Sequence, residues 1–215
     1  MSEMNIFVMR AIVIFLMVFS GPARSIAEHL TSYGIWGSNS SSLYNGLSPQ
    51  RNGIPSPDGK SSVIIHSESI SLRINSVITP VNIPFTSGLV DVLWSLDSNS
   101  VVITTSDGGF VGTWDAYIIS IKKMNKVKVI SIRRIVESVL SKKWMCDGED
   151  SINIGAVKWD SELWVIAEVP PHSVCKNMGE IKGIKISISK NKINEMLNDK
   201  DVRVKWRKLL GGRFI

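Results

Sequence analysis

Two stretches of this chain repeat one pattern 65 positions apart. Val92-Leu93-Trp94-Ser95-Leu96-Asp97-Ser98 and Val157-Lys158-Trp159-Asp160-Ser161 each place a tryptophan between a β-type run and a Ser/Asp turn. Each leads into an apolar run, Val101 to Thr105 or Leu163 to Ala167, and then into an alternating strand, Tyr117 to Ile121 or Ile184 to Ile188. Both close on a Lys-Trp pair, Lys143-Trp144 and Lys205-Trp206, and a shorter, more degraded copy precedes them. A hairpin unit cannot bury its apolar face alone, so units of this kind must stack on one another. The pattern constrains architecture strongly and chemistry hardly at all.

The ends set the compartment. Arg10 precedes the apolar run Ala11 to Phe19, Ser20-Gly21-Pro22 breaks it, and Ser25-Ile26-Ala27 puts small residues at the −3 and −1 positions of a cleavage site. Residues 1–27 are therefore expected to be a secretory signal peptide cleaved after Ala27, with Ala23 and Ser25 as alternative sites. Glu3 is unusual in such a leader. The nine-residue apolar run is well short of the roughly 20 residues that span a bilayer. The expected protein is exported, periplasmic or secreted, with no transmembrane anchor after processing.

Removal of that leader leaves residues 28–215, enough for one domain with a core. The hydrophobic content of 44%, seven tryptophans and 20% charged residues fit a folded soluble protein. Residues 37–57 are rich in Ser, Asn, Gly and Pro, so 28–57 is expected to be a flexible or irregular N-terminal segment and 58–215 a single β-rich domain. Cys146 and Cys175 both sit in loop contexts of a chain bound for an oxidising compartment, and a disulfide between them is expected.

Beyond residue 57 the chain alternates short β-type runs with turn signals. Ser56-Pro57-Asp58-Gly59-Lys60 introduces Ser62 to His66 and Ile70 to Asn75, a first hairpin. The linker Thr79 to Phe85 carries two prolines and belongs on an edge or between sheets. A second module starts near Leu89, turns at Ser106 to Gly109, and ends in a hairpin whose tip is Lys122-Lys123-Met124-Asn125-Lys126. Arg133 to Trp144 shows helical spacing at Ile135, Val136, Val139, Leu140 and Trp144, and Ile193 to Leu197 marks the equivalent helical turn of the third module.

This arrangement resembles secreted β-propellers of the WD-repeat or TolB-like type, in which a Trp-Ser-Pro-Asp-Gly-Lys turn opens each blade. The resemblance rests on Ser56 to Lys60, Trp94 to Ser98, Trp159 to Ser161 and the strands at Tyr117 and Ile184, and it covers residues 54–206. It implies an all-β fold of successive antiparallel hairpin or four-stranded modules, partly propeller-like, with short helical inserts. Three modules fall below the roughly four blades of a closed propeller. An incomplete propeller, a stack of small twisted sheets and an assembly closed by a second chain all satisfy the pattern, and a β-sandwich is the alternative fold.

No catalytic constellation stands out. His29, His66 and His172 have no metal-binding or catalytic spacing, and no nucleophile-elbow, zinc-protease or phosphate-loop motif occurs. Asp91, Asp97, Asp107, Asp115 and Asp160 are expected mostly in turns, where carboxylates bond their own backbone. Asp147-Gly148-Glu149-Asp150 is a compact acidic cluster without the ligand spacing of a calcium loop. Positive charge is concentrated: residues 122–143 hold eight basic residues against Glu137 alone. The expectation is a non-catalytic binding or scaffold module, without cofactor or metal, that meets a protein or anionic envelope partner through Lys122, Lys123, Lys126 and Lys128. Nucleic acid is not expected. The alternative is an exported hydrolase with catalytic residues scattered among loops, since triads are recognised by geometry rather than by sequence.

Overall fold

The computed structural model describes residues 34–44, 53–84, 86, 89–108, 113–122, 126–146, 152–171, 174–190 and 192–214, all within the compact unit Tyr33–Ile215. The leader expected over residues 1–27 lies outside the described residues. No helix among them is long and apolar enough to cross a membrane.

The period-2 runs form three antiparallel sheets. The first joins β2 (Ile54–Pro55), β3 (Ser61–Ile65), β4 (Ile70–Ile74) and β5 (Val77–Val81) in chain order. The second joins β6 (Leu89–Trp94), β7 (Ser100–Ser106), β8 (Trp114–Ile121) and β9 (Val127–Ser131), with β1 (Ser41–Tyr44) added beside β6. The third joins β10 (Asn153–Trp159), β11 (Leu163–Glu168), β12 (Ile181–Ser187) and β13 (Lys192–Leu197). The all-β expectation holds. Trp94 and Trp159 each end the first of four hairpin-connected strands in their sheets.

The middle sheet is covered on both faces, which explains why Val101-Val102-Ile103 is apolar without interruption. Val101, Ile103 and Ile119 pack toward Val63, Ile65 and Leu72 of the first sheet. Their neighbours Val102, Ala116 and Ile118 pack toward Ile154, Val165 and Ile184 of the third. Pro80, which has no N–H to donate, sits in the edge strand β5, where a ladder bond is not required.

Helix is confined to short pieces, and their positions differ from expectation. Helix α1 covers only Ile132–Glu137, and the turns after it carry Leu140 and Trp144 into the core shared by the second and third sheets. Ile193 to Leu197 is not helical but lies in β13, where a bulge sets Ile193 opposite Ile186 in the core between the second and third sheets and Leu197 with Val202 and Trp206 in the other core, while Glu195 pairs with Lys185 of β12 at 2.5 Å. The helix comes next, as α2 (Asp199–Lys205). Its signals are local: the Asn198 side chain caps it by accepting from the Asp201 N–H at 3.0 Å, and Asp199–Arg203 and Asp201–Lys205 are pairs four residues apart.

The segment expected to be flexible or irregular contributes to the core where it is described. Trp36 has no exposed surface, and its ring leaves no room for a Cβ on Gly155 of β10. Residues 34–38 form a ladder with the C-terminal tail: Ser38 N–H to Leu209 O, Gly211 N–H to Trp36 O, Gly212 N–H to Gly34 O and Arg213 N–H to Ile35 O. Residues 35 and 36 and the C-terminal tail thereby cover the face of the third sheet that also holds Val202 and Trp206.

Cys146 and Cys175 are bonded, with their Cα atoms 5.8 Å apart. Their bond joins the loop after α1 to the loop between β11 and β12. Closing a loop with a sequence separation of 29 residues stabilises by roughly 3 to 4 kcal/mol on the chain-entropy model. Cys146→Ser/Cys175→Ser is therefore expected to lower the free energy of unfolding by that amount in urea titration. A double variant as stable as the wild type would show that the reduced chain is already constrained there.

Candidate functional site

The register of each hairpin brings several turns to one end of the sheets. In the first sheet, Ser61 pairs with Ile74, and the Asn75 N–H donates to Lys60 O. In the second, Ser100 pairs with Ser120, and the Ile121 N–H donates to Asn99 O. In the third, Leu163 pairs with both Trp159 and Ile186. The turns that follow β2, β6 and β10 therefore lie with the β4–β5, β8–β9 and β12–β13 turns of their own sheets.

The first two of these turns are built alike. Ser56 donates to Asp58 and Ser95 to Asp97, both at 2.7 Å. Each serine oxygen accepts a backbone N–H at 3.0 Å, from Ser61 or Ser100, and each aspartate accepts one at 3.1 Å, from Lys60 or Asn99. The hydroxyl and backbone donors hold both carboxyls below the usual carboxylate range. Gly59 (φ 72°) and Ser98 (φ 59°) occupy the same left-handed position. Glycine suits that conformation at no steric cost, whereas Ser98 offers a compensating contact by accepting the Asp58 N–H at 3.1 Å and tying one turn to the other. The third turn is tighter, with Asp160 accepting the Glu162 N–H at 3.0 Å.

Between these turns lies a cleft of about 610 Å³ lined by the first strand of all three sheets. Ile54 and Pro55 form one wall, Trp94 and Leu96 a second, and Lys158 and Trp159 a third, while Asn39 and Ser41 close it from the segment beside β6. Both tryptophans are half-buried, and Leu96 is 72% exposed. The Trp94 Nε1–H donates to Ile54 O at 3.3 Å, which fixes its ring against β2. Lys158 Nζ lies 2.7 Å from Asp160 and 4.6 Å from the centre of the Trp164 ring. Burial pushes the Asp160 carboxyl up, but Lys158 and the Glu162 N–H pull it below its ordinary value. The carboxylates around the cleft are thus committed to turns and to lysine, and the cleft offers two half-buried tryptophans and polar groups held in place.

The expected contact residues fall at the same end. Lys122 and Lys126 are exposed at the tip of the β8–β9 hairpin, where the Lys122 N–H donates to Lys126 O at 2.7 Å, and Lys128 is exposed on the edge strand β9. Lys123 lies outside the described residues. Arg133, counted with that positive segment, is withdrawn from the surface: its Nε is 2.6 Å from Asp115 and its Nη1 3.2 Å from Glu137. His66 is exposed in the β3–β4 turn at the opposite end of the first sheet. His29, His172 and the acidic cluster 147–150 lie outside the described residues. Among the described residues no group of three His, Cys, Asp or Glu side chains is placed to hold a metal ion.

Two features escape a reading that places aspartates in turns. Asp91 and Asp115 lie within strands, β6 and β8. Asp91 is the one carboxylate in the otherwise apolar run Leu89 to Trp94, and that isolation is the signal that it has a structural partner. The cleft itself was marked only by its tryptophans, which the repeat pattern uses as punctuation. Compared with family models, curated proteins and solved structures, the chain matches none.

Proposed function

We propose that this chain is an exported, non-catalytic binding module whose three sheets surround the cleft as blades of an incomplete β-propeller, and that it captures its partner there. The observation that carries this reading is the convergence of Trp94 and Trp159, both half-buried, on a cleft of about 610 Å³. Ligand sites typically measure about 300 to 1,000 Å³ and use a few rigid aromatic anchors. The lysines of the β8–β9 hairpin stand at the same end of the second sheet, two to three strands from the β6 wall of the cleft, and steer anionic partners toward it.

The test is retention of the purified protein on immobilised cell-envelope extract. Leu96→Asp changes an exposed cleft residue and is expected to reduce retention without altering the unfolding transition. Lys122→Gln/Lys123→Gln/Lys126→Gln/Lys128→Gln is expected to reduce it mainly at low salt, because exposed charges are screened over about 8 Å at physiological ionic strength. Equal retention of all three proteins would remove the cleft from the function. Turnover of an envelope component by the pure protein would replace the binding reading with the hydrolytic one.

A further inference from the structure

Resting on that binding reading, we infer that the ligand of the cleft is an acidic saccharide chain, with sugar rings seated against Trp94 and Trp159 and acid groups met by lysines of the surrounding turns. The charge distribution is the first argument. The described residues of 56–60, 95–99, 122–126, 158–162 and 188–192, all at the cleft end of their sheets, include six lysines against four acids. The acids are already engaged: Asp58 and Asp97 by their own turns, Asp160 by Lys158, and Glu162 by the Asn194 side chain. Lys122, Lys126, Lys190 and Lys192 are exposed and form no ion pair with a described residue. What remains at this end is a set of exposed lysines on turns two to three strands outward from a tryptophan-walled cleft, whose own lining lysine, Lys158, is paired with Asp160.

The chemistry of the walls is the second argument. An indole face is electron-rich and attracts electropositive edges. A pyranose presents such an edge as a face of C–H bonds, while its hydroxyls point outward toward groups such as Asn39 and Ser41. An extended acidic peptide is less well served. The edge of β6 beside the cleft is already occupied by β1, and β2 offers Pro55 there, with Pro57 after it, neither of which has an N–H for a backbone ladder. Single-stranded nucleic acid would also use rings and lysines, but the Cys146–Cys175 bond favours an oxidising compartment, where acidic saccharides are the more accessible polyanions.

Affinity electrophoresis of the oxidised protein through gels containing polygalacturonate, neutral dextran, polyglutamate or oligo-dT tests the inference. Retardation by polygalacturonate is expected, and none by dextran. Lys122→Gln/Lys126→Gln/Lys190→Gln/Lys192→Gln is expected to weaken the polygalacturonate interaction by about tenfold at low salt, four exposed pairs each contributing a few tenths to one kcal/mol. Leu96→Asp, at an exposed position that leaves the core untouched, should weaken it at least as much. No retardation by polygalacturonate, equal retardation by dextran, or retardation as strong by polyglutamate or oligo-dT would overturn the proposal. If envelope extract still retained the wild type but not Leu96→Asp in that event, the binding reading would stand and only the ligand class would fall. Equal retention of both on extract would bring down the binding reading itself.

Discussion

Asp91→Ala is expected to be among the most damaging single substitutions in this protein, and its cost should shrink as pH rises. The carboxylate is buried in β6 and holds the segment before β1. Its Oδ1 accepts the Ile35 N–H at 3.0 Å, its Oδ2 accepts the Trp36 N–H at 2.7 Å, and Ser42 donates its hydroxyl to Oδ1. Truncation leaves these donors buried with fewer partners, at a cost of about 1 to 3 kcal/mol for each unsatisfied group. Burial pushes the Asp91 carboxyl up to about 6, against the opposing pull of Ser42, Trp36 and Ile35. The folded state therefore holds this proton more tightly than the unfolded chain, whose carboxyl titrates near 4. The contribution of Asp91 to stability is full below about pH 4 and is lost as pH rises through about 6, by up to about 3 kcal/mol. Urea titrations of wild type and variant at pH 4.5 and pH 8 should thus give a larger gap at the lower pH. A gap that is constant, or that grows with pH, would contradict this account. Because Asn39 and Ser41 line the cleft from the segment that Asp91 holds, the variant should also impair binding at the cleft.

Arg213→Ala is expected to cost about 3 to 5 kcal/mol, the range for breaking a buried ion pair on one side. The Arg213 Nη2 lies 2.6 Å and its Nε 2.9 Å from Glu168 Oε2, with the two side chains only 3% and 8% exposed. The same oxygen accepts from Asn153 Nδ2 at 3.0 Å. The guanidinium stands 5.1 Å from the centre of the Trp36 ring and 5.7 Å from that of Trp114, so its loss also removes packing between Trp36, the C-terminal tail and β8. Glu168→Met/Arg213→Met should recover part of the stability, because no buried charge is left unpaired, although Asn153 then loses an acceptor. Equilibrium unfolding of the two variants distinguishes the outcomes. An Arg213→Ala protein within about 1 kcal/mol of wild type would mean that water replaces the guanidinium beside Glu168.

Both residues show why the core was legible while its fastenings were not. The strands could be read because alternation and turn chemistry are local: Ser56-Pro57-Asp58-Gly59 determines its geometry within a few residues. The error at Ile193 to Leu197 has the same origin. Two apolar residues four apart suit a helical turn as well as a strand, and only pairing with β12 and the partner Lys185 decides between them. The burial of Trp36 was not legible locally because what holds it lies elsewhere, 55 residues away at Asp91 and in the C-terminal tail.

By itself the sequence determined the all-β class, the succession of hairpins and the pairing of its two cysteines, because each depends on periodicity, turn propensity or a choice of one. Tertiary structure alone decided which aspartates fasten the fold and which merely shape turns. It also withdrew Arg133 from the basic segment and brought Trp94, Trp159 and Pro55 together around one cleft. Those outcomes depend on how three twisted sheets pack, and contacts across tens to more than a hundred residues leave no trace in local spacing.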